Sequence, residues 1–168
     1  LRHLGFLAVP YAIYASVLCV SEAEMGARLQ GYIAAANVLQ YVALLGIIAL
    51  NLHIREMWAV GVGTLMNGMA VTVNGGMMPV SPTAAGMVGM LERMTQSADG
   101  FVRHAIMSSE TRLSFLGDVI PVPGWYVLSP EVASIGDILI ALAVFMVVQH
   151  YMRPEPSRNR LNMSSRTR

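Results

Sequence analysis

Charged residues are scarce in this chain, and lysine is absent from it. Only 12% of the 168 residues are charged and 55% are hydrophobic, whereas a soluble domain carries about 25% charged residues. So few charges cannot cover the whole surface with solvated groups. Insertion into a lipid bilayer is the simplest explanation for this composition, and we expect one compact membrane domain.

Cysteine is nearly absent as well. The single cysteine, Cys19, excludes an intramolecular disulfide and any zinc site built from cysteines. Leu18 precedes it, where a lipoprotein cleavage site requires a small residue. We therefore expect Cys19 to be a small apolar packing residue rather than a lipid attachment site.

The standard signatures of catalysis and cofactor binding are missing too. There is no glycine-rich phosphate loop ahead of a helix, no Ser-His-Asp pattern and no His-Glu-x-x-His. No two histidines have ligand spacing along a helix; they are His3, His53, His104 and His150. We predict no catalytic residues, no metal site and no cofactor, and we favour a non-enzymatic role.

Four apolar segments dominate what is present. They cover residues 4–20, 29–52, 57–73 and 135–152, and about 20 apolar residues are enough to cross a bilayer as a helix. The predicted fold is all-α, an integral membrane helical bundle of about four spans in a single domain, residues 1–152. Asn37, Gln40 and Asn67 lie within these spans, and we interpret their amides as hydrogen-bonding contacts between helices.

Residues 75–134 have a different composition. Glycine and proline recur there and argue against a regular helix, while Trp125 and Tyr126 suit the depth of the lipid headgroups. We predict an ordered, Pro/Gly-rich extracytoplasmic lid that lies on the bundle. Ser134-x-x-Asp137 then has the form of a capping box at the start of the last helix.

The arginines set the predicted orientation. Five of the eleven basic residues fall in the last sixteen positions, at 153, 158, 160, 166 and 168. A basic segment beside a span favours the cytoplasmic side, so residues 153–168 form a basic cytoplasmic tail and the lid lies outside. Anionic lipid accounts for this charge, so the expected partners are the bilayer and other protein subunits, with no nucleic acid.

Three motifs resemble those of a family of bacterial membrane proteins, the domain of unknown function 5317. They are Asn74-Gly75-Gly76-x-Met78-Pro79-Val80, Thr111-Arg112-Leu113-x-Phe115-Leu116-Gly117-Asp118-Val119-Ile120-Pro121-x-Pro123 and Ser134-Ile135-Gly136-Asp137-Ile138-Leu139-Ile140-Ala141. The resemblance implies a multi-pass protein of the bacterial inner membrane and no assigned activity. Members typically begin with one more hydrophobic helix and a basic turn, which this sequence does not contain.

Two functional hypotheses follow. The first is a small non-catalytic accessory or assembly subunit of a larger membrane complex, since no ionisable group lies deep in any span. The second is a membrane enzyme or small-molecule-binding protein that uses a pocket beneath the lid, with Asn74, Arg112, Asp118 and Asp137 as polar contacts. An aspartyl dyad of Asp118 and Asp137 is a further alternative. We favour structural roles for both acids, as a helix cap and as an acceptor in a turn.

Overall fold

The computed structural model describes residues 8–18, 27–96, 103–124 and 130–152. The four longer helices are α1 (Ala8–Leu18), α2 (Ala27–Ala49), α3 (Met57–Val73) and α6 (Ile135–Met152). Two short helices, α4 (Pro82–Met87) and α5 (Met90–Gln96), and a 3-10 turn, Ser114–Leu116, lie between α3 and α6. The cysteine Cys19, the aromatic pair Trp125 and Tyr126, and the basic tail lie outside the described residues.

The long helices pack in chain order, α1 on α2, α2 on α3 and α3 on α6. A short turn over residues 50–56 joins α2 to α3, and a connection this short makes the two helices antiparallel neighbours. Where α3 begins and α6 ends, Glu56 Oε1 lies 3.4 Å from His150 Nδ1. This contact joins the start of α3 to the end of α6, so these two helices are antiparallel as well.

The region between α3 and α6 contains a β-sheet, which makes the all-α prediction wrong. Its strands are β1 (Met78–Val80), β2 (His104–Ile106), β3 (Asp118–Val122) and β4 (Glu131–Ser134). The sheet order is β2-β1-β3-β4. The central strand β1 runs parallel to both of its neighbours, whereas β3 and β4 are antiparallel. The chain is therefore mostly helical, with a small mixed sheet at one end of the bundle.

Two apolar clusters join the sheet to the helices. In the first, Val80 packs with Ala85 of α4 and Met90 of α5. In the second, Met78 and Leu116 pack against Ala70 and Val71 near the end of α3. Together they fix the sheet over the end of α3 from which the chain leaves the bundle. Because α6 begins directly after β4, its first turn lies at the same end.

Within the described residues, two helical segments are long and apolar enough to cross a membrane, Gly31–Ala49 and Ile135–Met152. The apolar helix Met57–Val73 is shorter. Only 17% of the first segment and 11% of the second is buried within the protein. Large apolar side chains are correspondingly exposed along α6, including Leu142 at 56% and Phe145 at 60%.

Candidate functional site

A polar cavity of about 150 Å³ lies between the sheet and helices α2, α3 and α6. We call it the polar cavity. Its lining residues come from every element that meets there: Asn37, Tyr41, Asn67, Val71, Gly76, Met78, Arg103, His104, Asp118 and Asp137. Most of these residues carry hydrogen-bonding or ionisable groups, so this is the part of the described chain best suited to hold a polar molecule.

The wall on α2 is fixed by a glycine turn. Asn37 is 3% exposed, and its Nδ2 donates a hydrogen bond of 2.9 Å to the carbonyl oxygen of Gly76. Gly76 has a φ of +83°, and a Cβ there would collide with Ala34. Only glycine allows the chain after α3 to approach α2 this closely, and this approach determines how the Asn37 amide is oriented.

The wall formed by α3 and α6 contains the predicted capping box. The backbone N–H of Ser134 donates to Asp137 Oδ2 at 2.9 Å, and the backbone N–H of Asp137 donates to Ser134 Oγ at 2.9 Å. This reciprocal pair confirms the capping box. Asn67 of α3 joins the network, because its Nδ2 donates to Asp137 Oδ1 at 2.7 Å. A single network therefore caps α6 and fastens it to α3.

The wall on the sheet contains a histidine–aspartate pair. His104 Nε2 of β2 lies 3.5 Å from Asp118 Oδ2 of β3, although residue 118 pairs with Val80 of β1. Burial, together with the negative charges of Asp137 and Glu131, raises the pKa of Asp118 to about 8. Burial also lowers the pKa of His104, with Arg103 adding to the effect. At neutral pH the carboxyl group of Asp118 therefore keeps its proton, and the imidazole is neutral.

Two polar atoms of the cavity wall have no hydrogen-bond partner in the described part of the chain. Among the residues that the structure describes, none donates a hydrogen bond to Asn37 Oδ1 and none bonds to the hydroxyl of Tyr41. No buried side-chain nitrogen or oxygen in that set is left unsatisfied, so these atoms open onto the cavity space. The Asp118 carboxyl group, on a residue only 3% exposed, lies beside His104.

Arg103 is the cation of the site. Its Nη2 donates a hydrogen bond of 3.0 Å to Gln40 Oε1 on α2. The backbone carbonyl of Arg103 accepts from the N–H of Met78 at 2.7 Å. These two bonds hold the guanidinium between α2 and the edge of the sheet. A positive charge is thereby placed near His104, whose pKa it helps to lower.

The structure places the four sequence-predicted contacts in two groups. Asp118 and Asp137 both line the polar cavity. Asn74 instead bonds to the backbone of Arg112, donating from Nδ2 to its carbonyl at 2.8 Å and accepting from its N–H at 2.9 Å. The Arg112 side chain is exposed, and neither residue lines the cavity. Asn74 and Arg112 therefore fasten the chain that enters β3 to the end of α3.

The sequence prediction missed Tyr41, Arg103 and His104 as cavity residues. Nothing in the sequence near Arg103 and His104 indicates that β2 pairs with β1, some 25 residues earlier in the chain. Of the three amides expected to bond between helices, Asn67 does so, through Asp137 of α6. Asn37 bonds instead to Gly76 in the turn after α3, and Gln40 accepts from Arg103. The expected turn at Asp118 is wrong, because this residue begins β3 and faces His104 instead.

A model of a protein family matches residues 1–149 of the chain. The chain belongs to the family of unknown function DUF5317. This membership confirms the resemblance carried by the three motifs. No curated protein and no solved structure matches the chain. The DUF5317 motifs contribute Gly76, Met78, Asp118 and Asp137 to the polar cavity, so three separated sequence motifs converge on one site.

Asp118 and Asp137 share one cavity, yet they differ in chemical state. Asp137 accepts from Asn67 and from the Ser134 backbone, whereas Asp118 faces an imidazole and keeps its proton at neutral pH. An aspartyl dyad needs two equivalent acids that share one proton across a water. The arrangement suits a binding site with one helix-capping carboxylate better. Within the described residues, no three His, Cys, Asp or Glu side chains group as metal ligands.

Proposed function

We propose that this protein is an integral membrane protein that binds a small polar molecule in the polar cavity. The observation that carries the proposal is a set of polar groups that line the cavity. Asn37 Oδ1 and the Tyr41 hydroxyl on α2 bond to no described residue, and the Asp118 carboxyl group lies on the sheet wall. Buried polar groups are normally paired. A cavity wall that exposes them needs water or a ligand to complete their hydrogen bonds.

The membrane part of the proposal comprises four spans, α1, α2, α3 and α6. Its support is the apolar surface of the two longest segments, little of which is buried within the protein. A core helix of a soluble protein would bury that surface, because exposed apolar patches of this extent are costly in water. The sheet with α4 and α5 then forms an ordered lid over one end of the bundle, and the polar cavity lies beneath that lid.

We place the lid outside the cytoplasm of a bacterium and the protein in the inner membrane. The arginines after residue 152 favour the cytoplasmic side for the end of α6. With α6 crossing once, its first residues and the adjoining polar cavity face the outer compartment. The ligand would then enter from that side.

The tyrosines of α2 provide a test of binding. Tyr41→Phe removes a hydroxyl group that bonds to no described residue, so the fold loses no internal hydrogen bond. Tyr32→Phe is the matched control, because Tyr32 is 73% exposed on the same helix. Small polar molecules of up to about six heavy atoms fit a cavity of this size, and saturation-transfer NMR on the detergent-solubilised protein detects them.

We expect at least one such molecule to bind. Its affinity should fall about three- to tenfold in Tyr41→Phe, as loss of a single hydrogen bond predicts, and should be unchanged in Tyr32→Phe. Binding that is equal in both variants would place the ligand elsewhere. If none of the small polar molecules tested binds, the proposed function is contradicted.

A role as an accessory or assembly subunit is the second candidate. The observation in its favour is apolar surface outside the long helices, where Met87 is 70% exposed and Phe115 is 61% exposed. Such residues in the lid suit contact with another protein. Purification in mild detergent tests this candidate, since a subunit should elute with stoichiometric partners whereas an independent binding protein should elute alone.

A further inference from the structure

Asn37 presents a fixed hydrogen-bond acceptor to the polar cavity. Its Nδ2 donates to the carbonyl of Gly76 at 2.9 Å, and a carbonyl oxygen can only accept, so the amide cannot be flipped without losing this bond. Its Oδ1 bonds to no described residue, although Asn37 is only 3% exposed. A buried acceptor held in this way requires an N–H or O–H donor from a molecule in the cavity.

Two carboxyl groups line the same cavity, those of Asp118 and Asp137. Asp137 accepts from Asn67 Nδ2 at 2.7 Å and from the backbone N–H of Ser134 at 2.9 Å. Asp118 is 3% exposed and lies beside His104 on the sheet wall. Because Asp118 and Asn37 line one cavity of about 150 Å³, a single small molecule can contact both.

The charges that act on Asp118 favour a cation. Asp137 and Glu131 are both negative, and together with burial they raise its pKa. Arg103 also lines the cavity, but its Nη2 donates to Gln40 on α2 at 3.0 Å. A positively charged group beside Asp118 would be stabilised by the two other acids, whereas an anion there would be repelled.

An ammonium group suits the lining better than a bare metal ion does. Within the described residues, no three His, Cys, Asp or Glu side chains group as metal ligands. An ammonium group carries N–H donors, and Asn37 Oδ1, the Asp118 carboxyl group and the Tyr41 hydroxyl can all accept them. Val71 and Met78 add apolar lining, which suits a methyl or methylene group. The volume admits about six heavy atoms, so aromatic and long-chain amines are too large.

We propose that the polar cavity binds a small primary ammonium ion, such as methylammonium, whose N–H groups donate to Asn37 Oδ1 and to the carboxylate of Asp118. When the ion binds, the O–H bond of the Asp118 carboxyl group breaks and its proton passes to the solvent. Charge is conserved, because a cation enters as the proton leaves. This inference rests on the proposed function and specifies its ligand.

This exchange makes binding depend on pH. Besides Asp118, the titratable and charged groups at the cavity and on the paired strand β4 are Tyr41, Arg103, His104, Asp137 and Glu131. The ammonium ion must displace the Asp118 proton below about pH 8, whereas the carboxylate is already formed above it. The ammonium ion stays charged up to about pH 10, as a lysine does. Its affinity should therefore rise at least about tenfold from pH 6.5 to pH 8.5.

Three probes that carry methyl groups separate charge from hydrogen bonding. Methylammonium has a charge and N–H donors, methanol lacks the charge, and tetramethylammonium lacks the N–H donors. Saturation-transfer NMR on the detergent-solubilised protein at pH 8.5 follows the methyl protons of each probe. Methylammonium should bind at least about tenfold tighter than either of the others, as expected for charged hydrogen bonds. Ammonium should displace it, and potassium, an ion of similar size without N–H donors, should displace it far less.

A variant of the acid completes the test. In Asp118→Asn the affinity for methylammonium at pH 8.5 should fall at least about tenfold and should no longer change with pH. Glu110→Gln, at an exposed acid outside the cavity, should keep the affinity and the pH profile of the wild type. Circular dichroism and gel filtration check that both variants are folded.

The measurements on the wild type decide the inference even where Asp118→Asn does not fold. Methanol or tetramethylammonium binding as tightly as methylammonium would overturn it, and so would displacement by potassium as effective as that by ammonium. An affinity that does not rise between pH 6.5 and pH 8.5 would overturn the proton exchange. No binding by methylammonium or ammonium would overturn the inference alone, because the proposed function fails only if no molecule of the wider panel binds.

Discussion

Asp118 is the residue whose chemistry depends most on its surroundings. It is 3% exposed, and it has an imidazole 3.5 Å away and the charges of Asp137 and Glu131 nearby. Desolvation opposes a buried carboxylate more strongly than the neutral His104 can favour it. The folded protein therefore holds a neutral acid at this position, which the sequence alone presents as an ordinary aspartate.

This raised pKa predicts how stability depends on pH. Below about pH 4 the carboxyl is protonated in both the folded and the unfolded chain. Between pH 4 and about 8 only the unfolded chain ionises, so the free energy of unfolding falls as the pH rises, and above pH 8 it levels off. The lowered pKa of His104 acts in the opposite direction, below its ordinary value of about 6.5. Between pH 6.5 and 8 the change in the free energy of unfolding therefore reports on Asp118 rather than on His104.

We expect Asp118→Asn to remove this decline. Across pH 6.5 to 8 the wild type should lose about 1–2 kcal/mol relative to the variant, from about 1.4 kcal/mol for each pKa unit. Thermal unfolding in detergent at each pH measures this difference in the free energy of unfolding. Glu110→Gln, at an exposed acid, is the control and should keep the slope of the wild type. Parallel slopes for the wild type and Asp118→Asn would show that Asp118 is ionised in the folded protein.

The helix α3 and the helix α6 approach each other through glycines. A Cβ on Gly63 would lie 2.6 Å from the carbonyl oxygen of Gly136, and a Cβ on Gly136 would lie 2.8 Å from that of Gly63. Asn67 lies one turn further along α3 and reaches Asp137 across this contact. The close packing and the capping network thus depend on each other, and both form one wall of the polar cavity.

Replacing either glycine with alanine should force the helices apart. We expect Gly136→Ala to lower the free energy of unfolding by about 1–3 kcal/mol, as overpacking does, and Gly63→Ala to do the same. Gly46→Ala on α2 is the matched control, because its added Cβ meets nothing within 4 Å. Thermal unfolding of the three variants decides this. A loss of stability in the control equal to that at Gly136 would mean that helix contact is not the cause.

Among the secondary-structure elements, the sequence predicted the helices better than the strands. The helices Met57–Val73 and Ile135–Met152 coincide with two predicted apolar segments, because a long apolar run with polar ends has few alternatives. The strands have three to five residues, and β3 contains Pro121. Their pairing is decided by tertiary contacts between distant segments, so local pattern could not show that His104 approaches Asp118.

The whole molecule has two chemically different ends. One end has the sheet and the polar cavity, and the other has the contact of Glu56 with His150. Between them lie long apolar surfaces that the protein itself leaves exposed. This distribution agrees with the proposed membrane bundle. Composition predicted long apolar helices, whereas the cavity results from how the sheet packs against them.

Ligand binding requires that small molecules can enter the polar cavity. Val71 and Val80 provide a matched pair, since they are 3% and 0% exposed and only Val71 lines the cavity. Each is changed to cysteine in a chain whose single cysteine, Cys19, is replaced by serine. The reaction of each new thiol with methyl methanethiosulfonate is then followed in the folded protein by mass spectrometry.

We predict that the Val71→Cys thiol reacts at least about tenfold faster than the Val80→Cys thiol, because reactivity follows access to the thiol. Unfolding in denaturant should make the two rates equal. If the two thiols react equally slowly in the folded protein, the cavity is closed to small molecules and the proposed binding site is contradicted.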